Sequence, residues 1–207
     1  MINVIVSTYK QYNEIQILIR SFIQQTDKRW KLYIINDGQD KDKQAIIYNI
    51  KKEHIDYWNQ IQYLETKERM NYFGHNQREY GLNNIHLPDN EYVLLTNGDN
   101  YYCPTFVEEM LKVPSEGRNV IYCDMVHSHN RRDSSSGSTY GYFNTQFYPE
   151  KCDIGAFIVN CELAKEIGFT WRRNEADADY IREIREINEK KYSLNLFKIA
   201  KVLFIHN

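Results

Sequence analysis

Tyr92-Val93-Leu94-Leu95-Thr96-Asn97-Gly98-Asp99-Asn100, closed off by Pro104, is the stretch whose reading decides the fold. Its first half is a short run of β-favouring apolar residues, and its second half is a cluster of turn formers, so it reads as a buried strand that breaks into a loop. A carboxylate set between amides at a strand end suits a hard cation. Mg²⁺ and Mn²⁺ take few protein ligands and complete their shells with phosphate oxygens. Asn-Gly-Asp-Asn is equally a plain turn sequence, and the segment alone does not choose between the two.

The same unit recurs on the N-terminal side. Asn3–Ser7 and Lys31–Ile35 are strand-like runs that end at Ser7-Thr8-Tyr9 and Asn36-Asp37-Gly38, and Ile61–Leu64 is a third. Between them, Glu14–Gln25 carries Ile15, Ile17, Leu18, Phe22 and Ile23 at helical spacing, Asp42–Glu53 reads as a second helix, and Asn76–Ile85 as a third behind Gly74. Apolar strands alternating with helices predict a largely parallel sheet covered on both faces. Ligands of such sheets sit beyond the carboxyl ends of the strands, so the three polar clusters are expected to converge on one crevice.

Past Pro104 the spacing predicts a helix over Thr105–Lys112, strands over Asn119–Cys123 and Ala156–Val159, helices over Glu162–Ile167 and Ala176–Lys190, and a last strand over Val202–Ile205. Arg131–Gly141, with Ser134, Ser135, Ser136, Gly137, Ser138 and Thr139, has too little apolar surface to offset its ordering entropy. It is expected to be a mobile loop, either surface slack or a lid.

The 207 residues suit a single α/β domain, expected over 1–207. With 26 Lys and Arg against 28 Asp and Glu, the formal net charge is −2, which lacks the basic surplus that extended nucleic-acid binding requires. Cys103, Cys123, Cys152 and Cys161 lie far apart without metal-ligand spacing and read as reduced thiols. Met1 leads straight into a strand and no apolar stretch approaches about 18 residues, so a soluble, cytoplasmic protein is expected. A strand so close to the last residue suggests the N-terminal module of a longer protein.

Four segments in order and spacing resemble the GT-A glycosyltransferases, specifically the inverting family 2: Asn3–Tyr9, Leu32–Gly38, Leu94–Asn100 through Pro104, and Ile167-Gly168-Phe169 through Asp177-Ala178-Asp179. The compact module is also similar to glycosyltransferases of large DNA viruses of algae, which would place it in a host cytoplasm. The resemblance implies a three-layer α/β/α domain with a mostly parallel mixed sheet that binds a UDP-sugar. It implies a nucleotide site of Ser7, Thr8, Tyr9, Asp37, Arg78, Asn97 and Gly98, with the Tyr9 ring stacked on a pyrimidine and Asp37 accepting from base or ribose. It further implies a divalent cation, Mn²⁺ rather than Mg²⁺, held by Asp99 and His206. Asn97 stands where the family's metal motif usually begins with an acid. Asp177 falls at the place of the general base, with Asp179 in reserve, and Asp153, Gly155, Trp171 and Arg172 fall where the sugar and acceptor pocket is built. The expected reaction moves a sugar to a hydroxyl of a glycan or glycoprotein with inversion. A retaining transferase, a nucleotidyltransferase and a non-catalytic glycan-binding relative stay open as alternatives.

Overall fold

The computed structural model describes residues 1–113, 119–128, 140–192 and 195–207. Within them the chain alternates β1 (Ile2–Thr8), α1 (Glu14–Ile23), β2 (Trp30–Asn36), α2 (Lys41–Glu53), β3 (Ile61–Glu65), α3 (His75–Asn84) and β4 (Tyr92–Asn97). There follow β5 (Tyr101–Tyr102), α4 (Phe106–Lys112), β6 (Val120–His127), β7 (Gly141–Phe143), β8 (Phe157–Asn160), α5 (Cys161–Ile167), α6 (Ala176–Tyr192) and β9 (Leu196–His206). Among the described residues one sheet runs β3-β2-β1-β4-β8-β6-β9-β5, with β7 added on β6. It is parallel from β3 to β4 and mixed beyond, because β8 pairs antiparallel with both β4 and β6.

The order places a topological switch beside β1. The chain builds outward through β2 and β3 and then returns across β1 to lay down β4. Right-handed crossovers then put α1 and α2 on one face and α3 on the other, and indeed α1 packs with α2, and α3 with α5 and α5 with α6. β1 is buried along its whole length, as a central strand covered on both faces must be. α1 buries Ile15, Leu18, Ile19 and Phe22 at helical spacing, whereas Ile17 points outward and is exposed. The helix stops at Ile23, and Gln25 becomes a buried bracket: its Nε2 donates to Ser21 O and Cys103 O, and its Oε1 accepts from Val107 N in α4.

Two strands far outrun their expected lengths, because charged residues interrupt their apolar runs. The apolar run of β6 breaks at Asp124 and that of β9 at Lys198 and Lys201, so each strand read short in the sequence. In the fold Lys201 reaches out to Glu109, and Lys198 Nζ lies 2.7 Å from Asp124 Oδ1, while Thr145 N and Tyr142 Oη donate to the same carboxylate. A paired and hydrogen-bonded carboxylate is tolerated inside a sheet. The parallel register then slips at Cys123 and Asp124 and carries on to pair His127 with His206. Of the expected mobile loop, 131–139 lies outside the described residues, and Gly141 opens β7. No helix among the described residues is long and apolar enough to cross a membrane.

β5 closes the sheet against β9, and Tyr102 is the bolt: fully buried, it packs on Phe22, Phe106 and Phe204, with its hydroxyl 2.7 Å from Thr96 Oγ1 and 3.1 Å from Gly155 O. A Cβ at Gly155 would stand 2.6 Å from Phe204 Cζ and 3.0 Å from Tyr102 Oη. Gly155→Ala is therefore expected to cost about 1–3 kcal/mol by overpacking, read as a lower urea midpoint at unchanged m-value. An unaltered midpoint would show that this seam is loosely packed.

Candidate active site

The carboxyl ends of β1, β2 and β4 enclose a cavity of about 480 Å³. Register alone aligns its walls: Ser7 stands opposite Asn97 and Thr8 opposite Asn36. Gly98 N donates to Ser7 O and Asp37 N to Thr8 O, which carries the pairing one residue past the strands. Ser7, Thr8, Tyr9, Asp37, Asn97 and Asp99 all line this one space, as the convergence of the three polar clusters requires. Gly98 lies against Thr8 and Gln11, with no room for a Cβ.

Asp37 also ties down the loop that walls the cavity. Its Oδ1 accepts from Met70 N at 2.6 Å and its Oδ2 from Asn71 N at 3.0 Å. The following residues hold left-handed backbone in succession, with φ of 60° at Asn71, 61° at Tyr72, 53° at Phe73 and 85° at Gly74. Non-glycine residues resist this region, so the run persists only because its surroundings over-determine it. Besides Asp37, Asn76 Nδ2 holds Met70 O at 3.1 Å, and a Cβ at Gly74 would collide with Ser7 Oγ. Arg69, on the same loop, lies 4.0 Å over the centre of the Tyr9 ring. The aromatic plane at this end of the cavity thus carries a guanidinium on one face.

At the β4 end, Asp99 Oδ2 accepts from Gln11 Nε2 at 2.7 Å, while its Oδ1 is buried without a hydrogen-bond partner among the described residues. Burial raises its pKa, and the imidazole of His206 and the Gln11 bond oppose the rise. The pairing of Tyr101 with Ile205 brings the chain tail to the β4 loop. There His206 stacks on His127, ring centres 4.2 Å apart, and its Nε2 lies 3.4 Å from Asp153 Oδ2. One ligand atom from each of His127, Asp153 and His206 falls within 4.8 Å of the others. Two imidazoles and a carboxylate are a donor set that suits Mn²⁺ or another divalent ion; Asp99 lies outside that cluster, within reach of the charge of His206. Asp153 is held by its own turn, Oδ1 accepting from Gly155 N at 2.8 Å. Burial, then the negative charge of Asp177, pushes its carboxyl up to about 6.

Arg78 joins this end to α6. It is buried, not solvated; Nη2 donates to Asn97 Oδ1 at 2.6 Å, and Nη1 donates to His75 Nδ1 at 2.8 Å and faces Asp177 Oδ1 at 3.5 Å. His75 closes the chain through Nε2 to Arg173 O, and burial followed by the nearby Arg78 lowers its pKa. Asp177 is a third exposed, with Oδ1 not engaged in a hydrogen bond. Asp179 differs: it is buried and gripped by Arg173 and Arg182, whose bonds hold its carboxyl below the usual range. Trp171 turns edge-on into Phe169 and Tyr180, and Arg172 is engaged by Glu79 and by the carbonyls of Phe169 and Trp171. Neither lines the cavity.

The sequence profile of the glycosyl transferase family 2 matches residues 3–182. The chain belongs to that family. Solved structures agree in fold: S. aureus TarS, at 15% identity and a TM-score of 0.72, covers 100% of this chain, which spans 36% of TarS. The mannosyltransferase PcManGT from Pyrobaculum calidifontis, in complex with GDP-Man and Mn²⁺, covers 99% at 14% identity and a TM-score of 0.71, the chain spanning 56% of it. GalNAc-T7 with UDP, GalNAc and Mn²⁺ covers 100% at 11% identity and a TM-score of 0.68, the chain spanning 43% of it. These are GT-A glycosyltransferases, and this chain has their fold. No curated protein matches it in sequence.

Several residues around the site of this family 2 domain escape a reading of the sequence. His127 lies past the apparent end of its strand, and Gln11, Arg69 and Gln77 are ordinary polar residues until the fold gathers them. Lys43 is the least visible: fully buried in α2, it donates to Asn36 Oδ1 at 2.7 Å and Thr8 Oγ1 at 3.2 Å beneath the cavity. Burial lowers its pKa to about 8, against the opposing pull of Asp40 and Glu14. The folded state therefore binds fewer protons than the unfolded chain between pH 8 and about 10.5, and stability rises with pH across that window. Relative to Lys43→Met, the wild type is expected to gain up to about 3 kcal/mol from pH 8 to 10.5, read by denaturant titration at each pH. A constant difference would place this amine in contact with water.

Proposed function

We propose that residues 1–207 form one catalytic domain of a metal-dependent glycosyltransferase, which moves a sugar from UDP to a hydroxyl of a glycan or glycoprotein with inversion. The observation that carries the reading is the cavity at the switch point, lined at its β4 end by Asp99, whose Oδ1 has no hydrogen-bond partner among the described residues and whose carboxyl feels the charge of His206, a member of the His127, Asp153 and His206 cluster. A site that takes a nucleoside at one end and a cation at the other fits a nucleoside diphosphate. TarS 1–349 in complex with UDP, and GalNAc-T7 with UDP and Mn²⁺, share the fold and support that choice. PcManGT, with GDP-Man, keeps guanine among the bases to be tried.

In this reading Ser7, Thr8 and Asp37 bind the nucleoside, and Asp99 with His206, His127 and Asp153 holds Mn²⁺ or Mg²⁺. A divalent ion there supplies charge to offset the departing diphosphate. Asp177 serves as general base, since its carboxylate is partly open and positioned by Arg78, whereas Asp179 is committed to two arginines. It takes the proton of the acceptor hydroxyl as that oxygen bonds to the anomeric carbon and the bond to the diphosphate breaks. Asp153 and Gly155 shape the sugar end. Trp171 and Arg172 contribute by holding the start of α6.

Purified protein with Mn²⁺ and a panel of UDP-sugars is expected to release UDP, slowly with water as acceptor. Asp177→Asn should lower kcat at least about a hundredfold with KM little changed, and Asp99→Ala should abolish the metal-dependent part of UDP binding seen by calorimetry. Binding of GDP and CMP as strong as that of UDP, or turnover indifferent to Asp177, would defeat this assignment.

A further inference from the structure

Gln77 has no exposed surface, yet it forms part of the cavity wall. Both atoms of its amide, Oε1 and Nε2, are buried without a hydrogen-bond partner among the described residues. Such a group costs stability, and native proteins keep few of them. No described residue pairs with this amide, and the cavity that Gln77 borders makes a ligand the candidate partner.

Helix geometry says which part of the ligand. Gly74 abuts Ser7 of β1, and Gly81 abuts Ile5 of β1 and Ile35 of β2. Residues 74, 77 and 81 share one helical face, so Gln77 lies over the seam between β1 and β2. The next residue, Arg78, turns instead toward Asn97 on β4. Neighbouring side chains therefore go separate ways. Arg78 reaches Asn97 at the β4 side, and Gln77 borders the cavity on the side of β1 and β2, where Asp37 stands. A nucleoside diphosphate with its phosphates at the β4 end puts its base at the Gln77 end.

We infer that Gln77 is a nucleobase-binding residue, its Nε2 donating to a ring carbonyl and its Oε1 accepting from the adjacent ring N–H. This rests on the cavity being a nucleoside diphosphate site. A uracil presents that carbonyl and N–H side by side, and the amide matches them in a planar pair. The unpaired amide of the free protein is thereby a cost that the base removes on binding.

The test is calorimetric, with UDP and with inorganic pyrophosphate, each in the presence of Mn²⁺, on wild type, Gln77→Met and Gln77→Leu. Both variants replace the amide by an apolar side chain of similar size, so at least one is expected to fold. The expected result is about a tenfold loss of UDP affinity, unchanged pyrophosphate affinity, and a higher melting temperature of the free protein, because the buried unpaired amide is gone. UDP affinity within twofold of wild type, or an equal loss for UDP and pyrophosphate, overturns the inference while leaving the nucleotide site standing. Wild-type protein that binds neither UDP, GDP nor CDP overturns both together.

Discussion

The buried guanidinium of Arg78 is the constraint on which the rest of the site depends. A charge taken out of water must be met by partners, and removal of one partner leaves the penalty behind. Arg78 meets them on three elements: Asn97 at the end of β4, His75 at the start of α3 and Asp177 at the start of α6. With Nδ1 accepting from Arg78, His75 is neutral and carries its proton on Nε2, which it donates to Arg173 O. One cation thereby positions the end of β4, the start of α3 and the carboxylate of Asp177.

Asn97 gains a reason from this arrangement. A carboxylate at position 97 would sit within 2.6 Å contact of the guanidinium and neutralise it. The amide binds the same nitrogen without cancelling its charge, so the field of Arg78 reaches Asp177 and Asp153 instead. The amide at position 97 and the buried arginine are thus one device, and the negative charge at this end of the sheet comes from Asp99 and Asp153 rather than from position 97.

The two ends of the cavity are built by different physics. At the β2 end, a run of left-handed backbone is held by the Asp37 carboxylate, a local anchor that stiffens the wall and presents Arg69 over Tyr9. At the β4 end, nothing local suffices. His127 and His206 come side by side only because a register slip between β6 and β9 accommodates the Asp124–Lys198 pair, and the loop after β4 meets the chain tail only because β5 pairs with β9.

The sequence by itself determined the strand-helix alternation through β4, the polar ends of β1, β2 and β4, and hence a crevice at their carboxyl ends. Periodicity and turn chemistry are local, so they survive without coordinates. The resemblance to family 2 also picked out Asp99, His206 and Asp177 as residues to watch. Only the tertiary structure decided that Arg78 is buried, that Asp177 rather than Asp179 stays open, and that His127 and Asp153 stand beside His206. It also turned Trp171 into an aromatic cluster and left Gln77 against the cavity without a partner among the described residues. These depend on which charges meet across distant strands and helices, and a pairing between residues far apart in the chain leaves no periodic trace in either segment.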